Sequence, residues 1–159
     1  MNRTLALLGA TLLASGSVAA VGETSARETA NKELVLAFSR QVFEAHDTSK
    51  AKNFLTVDTI EHNPNVPSGL KGFVETFDKI WKAGPGKHPS AEAELMQGAQ
   101  KPPVAVIADG DKVVVVLKIK RPDPAAPGKT YDSFWFDLYR IEGAKIAEHW
   151  DGALKGPLP

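Results

Sequence analysis

The chain has no cysteine among its 159 residues. That absence excludes disulfides, thiolate catalysis, iron–sulfur clusters and cysteine zinc sites. Net charge is missing too: nineteen Lys and Arg balance nineteen Asp and Glu. A nucleic-acid partner calls for a basic face, so none is expected. After the N-terminal segment, no hydrophobic run reaches the ~20 residues of a membrane-spanning helix. There is no glycine-rich phosphate loop and no Gly-x-Ser-x-Gly elbow, so no nucleotide cofactor and no serine nucleophile are indicated. What is present is ordinary for a globular protein: 43% hydrophobic and 24% charged residues. The length suits one domain.

The N-terminus is built differently. Met1-Asn2-Arg3 is a short basic start, Leu5 to Ala14 is an apolar run, and Ser15 to Ala20 are mostly small residues. Ser17-Val18-Ala19 fits a small-x-small cleavage rule, and cleavage after Ala20 fits nearly as well. These three parts make residues 1–20 a secretory signal peptide, and the mature protein is expected to be periplasmic or secreted, with no membrane contact after cleavage. An N-terminal anchor or a buried first helix are the alternatives. Residues 21–28 read as a flexible lead-in, and 29–157 as the folded domain. About 130 mature residues suffice for a core without disulfide staples.

From Thr29 the pattern becomes helical. Leu34, Val35, Phe38, Val42 and Ala45 form one apolar stripe. Asp47-Thr48 ends that helix and caps a short second one through Phe54 and Leu55. Thr56 to His62 alternates weakly and runs into the loop Asn63-Pro64-Asn65-Val66-Pro67-Ser68-Gly69. Leu70, Phe73, Val74, Phe77, Ile80 and Trp81 mark a third helix, stopping at Ala83-Gly84-Pro85-Gly86. Strands are expected at Ala91–Gln97, Val104–Ala108, Val113–Ile119, Tyr131–Ile141 and Lys145–Asp151. Asp109-Gly110-Asp111 turns one hairpin and Glu142-Gly143-Ala144 another, and Arg121 to Gly128 forms a long connection. Helices first and antiparallel strands after them predict an α+β fold, with helices packed on a strongly curved, mainly antiparallel sheet of four to six strands. Such a cone leaves an open mouth, where small ligands bind.

Two segments carry most of the chemical signal. In Lys145-Ile146-Ala147-Glu148-His149-Trp150-Asp151, His149 and Asp151 share one strand face and Trp150 takes the other. Upstream lies Glu61-His62-Asn63-Pro64-Asn65. Together with Ala108-Asp109-Gly110-Asp111-Lys112-Val113 and Phe136-Asp137-Leu138-Tyr139-Arg140-Ile141, these segments resemble the SnoaL-like polyketide cyclase group of the nuclear transport factor 2-like superfamily, over roughly Asn31 to Pro157. The resemblance implies a conical α+β barrel, a deep small-molecule pocket and a homodimer. In cyclase members a pocket aspartate near the end of the last strands acts as acid and base in an intramolecular aldol closure. Asp151 is the matching residue. The chain departs from the family at Val114-Val115-Val116-Leu117, where a histidine is common.

Beside the resemblance stands a reading of the residues themselves. If Glu142-Gly143-Ala144 forms the turn, Asp137 faces His149, and Asp137, His149 and Asp151 cluster. A histidine flanked by carboxylates is oriented and kept cationic. A carboxylate in an apolar pocket has its pKa raised. Either can move a proton next to a carbonyl without a cofactor. The plainer alternative is a His149–Asp pair that only fixes the hairpin. His62 and Asn63 either close the pocket over a ligand oxygen, or form an Asx turn with His62 packed at the rim. Asn63, Phe77, Trp81, Trp135 and Asp137 are the candidate ligand-binding residues, and Asp151, His149 and His62 the candidate catalytic ones. His46 and His88 read as surface residues. His62, His149, Asp137 and Asp151 are of metal-ligating type but lack His-x-x-x-His spacing, so no metal is expected. An acid/base enzyme and a binding module that holds a small apolar or aromatic molecule without turnover both fit the pattern.

Overall fold

The computed structural model describes residues 16–83 and 99–156. Helix α1 (Gly16–Phe38) passes into a π-helical turn (Ser39–Glu44) and a short 3-10 helix (Thr48–Asn53). Strand β1 (Leu55–Glu61) and helix α2 (Leu70–Ala83) follow, then β2 (Ala105–Asp109), β3 (Lys112–Pro122), β4 (Thr130–Glu142) and β5 (Lys145–Trp150). Among the described residues the sheet order is β1-β5-β4-β3-β2, with β1 and β2 at its edges. All neighbours are antiparallel except β1, which lies parallel to β5. Among the described residues, no helix is long and apolar enough to cross a membrane.

Helix α1 begins well ahead of Thr29, so residues 21–28 are helical rather than a flexible lead-in. Ala19, Ala20, Glu23, Ala26, Arg27, Glu28 and Ala30 favour helix, and no proline precedes Pro64. The helix is also anchored to the sheet. Asn31 Nδ2 donates to the Gly110 carbonyl at 3.0 Å, and Gly110 N–H donates to Glu28 Oε1 at 3.0 Å. Gly110, with φ of 59°, makes the tight turn that presents both groups. In the expected second helix only a 3-10 turn forms, capped as anticipated by Asp47, whose carboxylate accepts from Ser49 N–H. The expected strand Ala91–Gln97, His88 and residues 1–15 lie outside the described residues.

The core fills the space between the helices and the concave face of the sheet. Val35, Phe38 and Val42 from the first helical stretch meet Phe73 from α2 and Val113, Val115, Tyr139, Ile141 and Ile146 from the strands. Ala45, the last member of the predicted stripe, is exposed. Strand β3 runs on to Pro122, pairing with Thr130, which shortens the expected long connection to residues 123–129. Val113, Val115 and Ile119 are buried on the concave face, and the alternate residues of β3 face outward.

The β4–β5 hairpin decides where the site residues point. Gly143 and Ala144, at φ of 55° and 60°, form a two-residue turn that pairs Glu142 with Lys145. Continued unchanged, that register would set Asp137 opposite Trp150. A bulge inserts one extra residue at Ala147, so that Ile146 and Ala147 are both buried and Tyr139 pairs with His149. The expected pairing of Asp137 directly with His149 is therefore off by two residues. A two-residue offset preserves the face, and Asp137, Tyr139, His149 and Asp151 all point into the concave side.

Candidate functional site

A cavity of about 580 Å³ lies between the concave sheet face, α2 and the Asn63–Pro67 loop. Its walls are mainly apolar, built from residues such as Phe38, Phe73, Phe77, Ile80, Leu117 and Trp135, with Glu44, His46, Lys79 and Lys101 also in the lining. At one end the ends of β1 and β5 and the middle of β4 converge, and there the lining turns polar: Glu61, Asn63, Asp137, Tyr139, His149 and Asp151. Apolar walls with a few convergent polar groups are the ordinary composition of a small-molecule site.

His149 is the centre of the polar end. Its Nδ1 lies 2.8 Å from Glu61 Oε1 and its Nε2 lies 3.3 Å from Asp137 Oδ1. Parallel pairing of Glu61 with His149 places those two residues side by side, while Asp137 reaches across diagonally from β4. Burial alone would lower the His149 pKa, but hydrogen bonds to Asp137 and Glu61 outweigh it and raise it to about 10. The imidazole is thus a cation at neutral pH, with both nitrogens donating. The Tyr139 ring stacks on it, centroids 4.8 Å apart and planes 26° from parallel. Trp135 Nε1 donates to Asp137 Oδ1 at 2.9 Å, holding the carboxylate in place.

Asp151 is in a different state. It makes no ion pair with His149 among the described residues. Oδ2 accepts from Asn63 Nδ2 at 2.7 Å and Oδ1 from Ala153 N–H at 2.9 Å. Burial pushes its pKa up, and Asp137 adds to that, against the opposing pull of the two hydrogen bonds and His149. Asn63 is oriented in turn: its N–H donates to Glu61 Oε1 at 2.9 Å, and its Oδ1 accepts from Asn65 N–H at 2.9 Å in an Asx turn. The Asx turn expected from the sequence forms, and the Asn63 side chain also lines the cavity.

Most of the residues picked from the sequence come together here: Asp151, His149, Asn63, Asp137, Phe77 and Trp135 all line the cavity. His62 does not. One residue beyond Glu61, it points to the convex side, where its ring stacks on Trp150 at 4.7 Å and Nε2 meets Glu148 Oε1 at 2.8 Å. Trp81 also stays outside the cavity, packed against Phe43, Phe77 and His46. Glu61 and Tyr139 were missed. Tyr139 was readable by parity with Asp137, two residues away on the same strand. Glu61 was not, because β1 exposes Val57 and Ile60 and buries Thr59, which inverts the usual apolar-in pattern. Asp137, His149 and Asp151 each bring a potential ligand atom within 4.8 Å of the others.

A family model described as SnoaL-like polyketide cyclase matches residues 33–153. The chain belongs to the SnoaL-like polyketide cyclase family. Solved structures agree on the fold, an α+β sheet-and-helix cone of the nuclear transport factor 2-like type. TsrD from Streptomyces laurentii is 18% identical with a TM-score of 0.53, covering 78% of this chain and 87% of that one. A SnoaL-like polyketide cyclase from Agrobacterium tumefaciens is 15% identical with a TM-score of 0.52, covering 77% and 89%. TerC, co-crystallised with polyporic acid, is 19% identical with a TM-score of 0.53, covering 79% and 92%. No curated protein matches the chain. In this SnoaL-like chain the match runs from the last six residues of α1 to the residues after β5, and so takes in the whole polar end of the cavity.

Proposed function

We propose that this SnoaL-like protein binds a small apolar carbonyl compound and moves a proton on it by cofactor-independent acid/base catalysis, as an isomerase, cyclase or aldol-type enzyme does. The observation that carries the reading is the division of labour between Asp151 and His149. Asp151 has a raised pKa and a second lone pair on each oxygen, so it can take a C–H proton and return it. His149, locked as a cation, is no base near neutral pH; it balances part of the negative charge of Glu61 and Asp137 and orients both. The apolar walls favour a hydrophobic substrate, and polyporic acid in TerC supports a small-molecule ligand for this fold.

Deuterium exchange into the activated methylene of 2-tetralone, followed by NMR, tests the reading. Wild type accelerates exchange, and Asp151→Asn, which removes the base and keeps one of its two accepted hydrogen bonds, abolishes the acceleration while still binding the ketone. A rival reading, binding without turnover, is favoured by the two donors already satisfying Asp151. It predicts tight binding with no exchange above buffer.

Export is part of the proposal and rests on the signal-like pattern of residues 1–20. It predicts a mature protein beginning at Val21, read by N-terminal sequencing of the periplasmic and secreted fractions. A full-length N-terminus in the cytoplasm sinks it.

A further inference from the structure

Side-chain donors at the polar end of the cavity are almost all engaged. The two His149 nitrogens serve Glu61 and Asp137, Trp135 Nε1 serves Asp137, and Asn63 Nδ2 serves Asp151. The exception is the Tyr139 hydroxyl, which makes no hydrogen bond among the described residues. Tyr139 is only 8% exposed and lines the cavity. Buried phenols nearly always find a partner, so a cavity-lining one without a protein acceptor calls for explanation.

The setting suits a donor. Tyr139 pairs directly with His149 across the β4–β5 ladder, and the imidazolium lies stacked on its ring at 4.8 Å. That stack fixes the ring plane. Burial, with the charges of Asp137, Glu61 and Asp151, pushes the Tyr139 pKa well above its ordinary value. The phenol therefore keeps its proton at any pH at which Asp151 works.

We infer that Tyr139 is a further catalytic residue, donating a hydrogen bond to the substrate's carbonyl oxygen while Asp151 takes the proton from the carbon beside it. This rests on the acid/base reading above. The electron pair of the broken C–H bond becomes the enolate C=C, and the charge gathers on the oxygen facing Tyr139. The phenol keeps its proton throughout. Asp151 then returns the proton it took, to the same carbon or to a conjugated one, so nothing is oxidised or reduced. The arrangement selects enolisable ketones over esters of equal size lacking an acidic C–H, because only the former place charge at Tyr139.

Tyr139→Phe separates this from its rivals, since it removes one oxygen and no protein hydrogen bond among the described residues. 2-Naphthol, an aromatic ring carrying an enol-like hydroxyl, and naphthalene serve as probes in fluorescence titrations. Wild type binds 2-naphthol more tightly than naphthalene, and Tyr139→Phe loses about tenfold for 2-naphthol alone. Exchange into 2-tetralone falls about a hundredfold, the scale of a lost oxyanion donor. Equal loss for both probes, or no loss for 2-naphthol, overturns the assignment. If Tyr139→Phe selectively weakens 2-naphthol but wild type exchanges no deuterium, the acid/base reading falls and Tyr139 as the donor to a ligand oxygen stands. If Asp151→Asn abolishes exchange and Tyr139→Phe leaves exchange and 2-naphthol binding untouched, the acid/base reading stands and the Tyr139 assignment falls.

Discussion

His149 sits between two carboxylates, and that decides how the fold responds to pH. Its folded-state pKa of about 10 lies above the 6.5 of an ordinary histidine. Below pH 6.5 folded and unfolded chains both hold the proton, and the stabilisation from the Glu61–His149–Asp137 bridge is fully present. As pH rises further, the unfolded chain gives up its proton first and the folded state progressively loses its advantage. Above about pH 10 the folded imidazole is neutral too, and Glu61 and Asp137 remain as buried neighbours without their cation. Wild type should therefore lose stability between pH 7 and 10, measured as the urea midpoint at each pH. His149→Gln, less stable at pH 7, should show a much flatter profile over that interval. Parallel profiles for the two proteins would mean that the histidine is not held as a cation.

At the scale of elements, the loop between β1 and α2 carries a site residue and leans on a glycine. A Cβ on Gly72 would lie 2.4 Å from the Pro67 carbonyl oxygen, a backbone atom that cannot swing aside. The loop is tied at both ends: Gly69 N–H donates to the Thr59 carbonyl at 2.7 Å, and Glu61 N–H donates to Ser68 Oγ at 3.0 Å. Gly72→Ala must push Pro67 off α2 and with it the Asx turn that aims Asn63 at Asp151. The expected cost is about 2 kcal/mol, or roughly 6 °C in melting temperature. An unchanged melting temperature in thermal unfolding would show that loop and helix do not pack this closely. Elements were also where the sequence was most and least legible. The stripe of α2 was plain, since that helix has one strongly apolar face, and β4 was legible as a long aromatic run although it is apolar on both faces. The Ala147 bulge was not, because alanine carries no turn or bulge signature and only the tertiary burial of both Ile146 and Ala147 requires it. The hairpin guess reached the right face through an offset of two residues. The weak alternation of β1 permitted the opposite error, turning His62 inward in place of Glu61.

For the whole molecule, the convex face of the sheet is the unresolved physical problem. Phe134 and Phe136 on β4 are 50% and 57% exposed, and Ile107 on β2 is 59% exposed. Val116 pairs with Phe136, and Val114 with Leu138 and Ile107, so these side chains form a continuous apolar band across three strands. Beside it lies a polar cluster, with Arg140 joined to Glu148 and Glu142, and His62 stacked on Trp150. An apolar band with a charged margin is the composition of a protein interface rather than of a free surface. We propose that a second copy of the chain covers it. A two-fold contact sets the same patch against itself, so one substitution is introduced twice. Phe136→Asp therefore places two carboxylates in one desolvated contact and should convert a dimer to a monomer by light scattering. Phe136 faces away from the cavity, so naphthalene binding should be retained. A wild-type chain that is monomeric at micromolar concentration would remove the second copy as the partner. A Phe136→Asp protein that stays dimeric would place the contact elsewhere on the molecule.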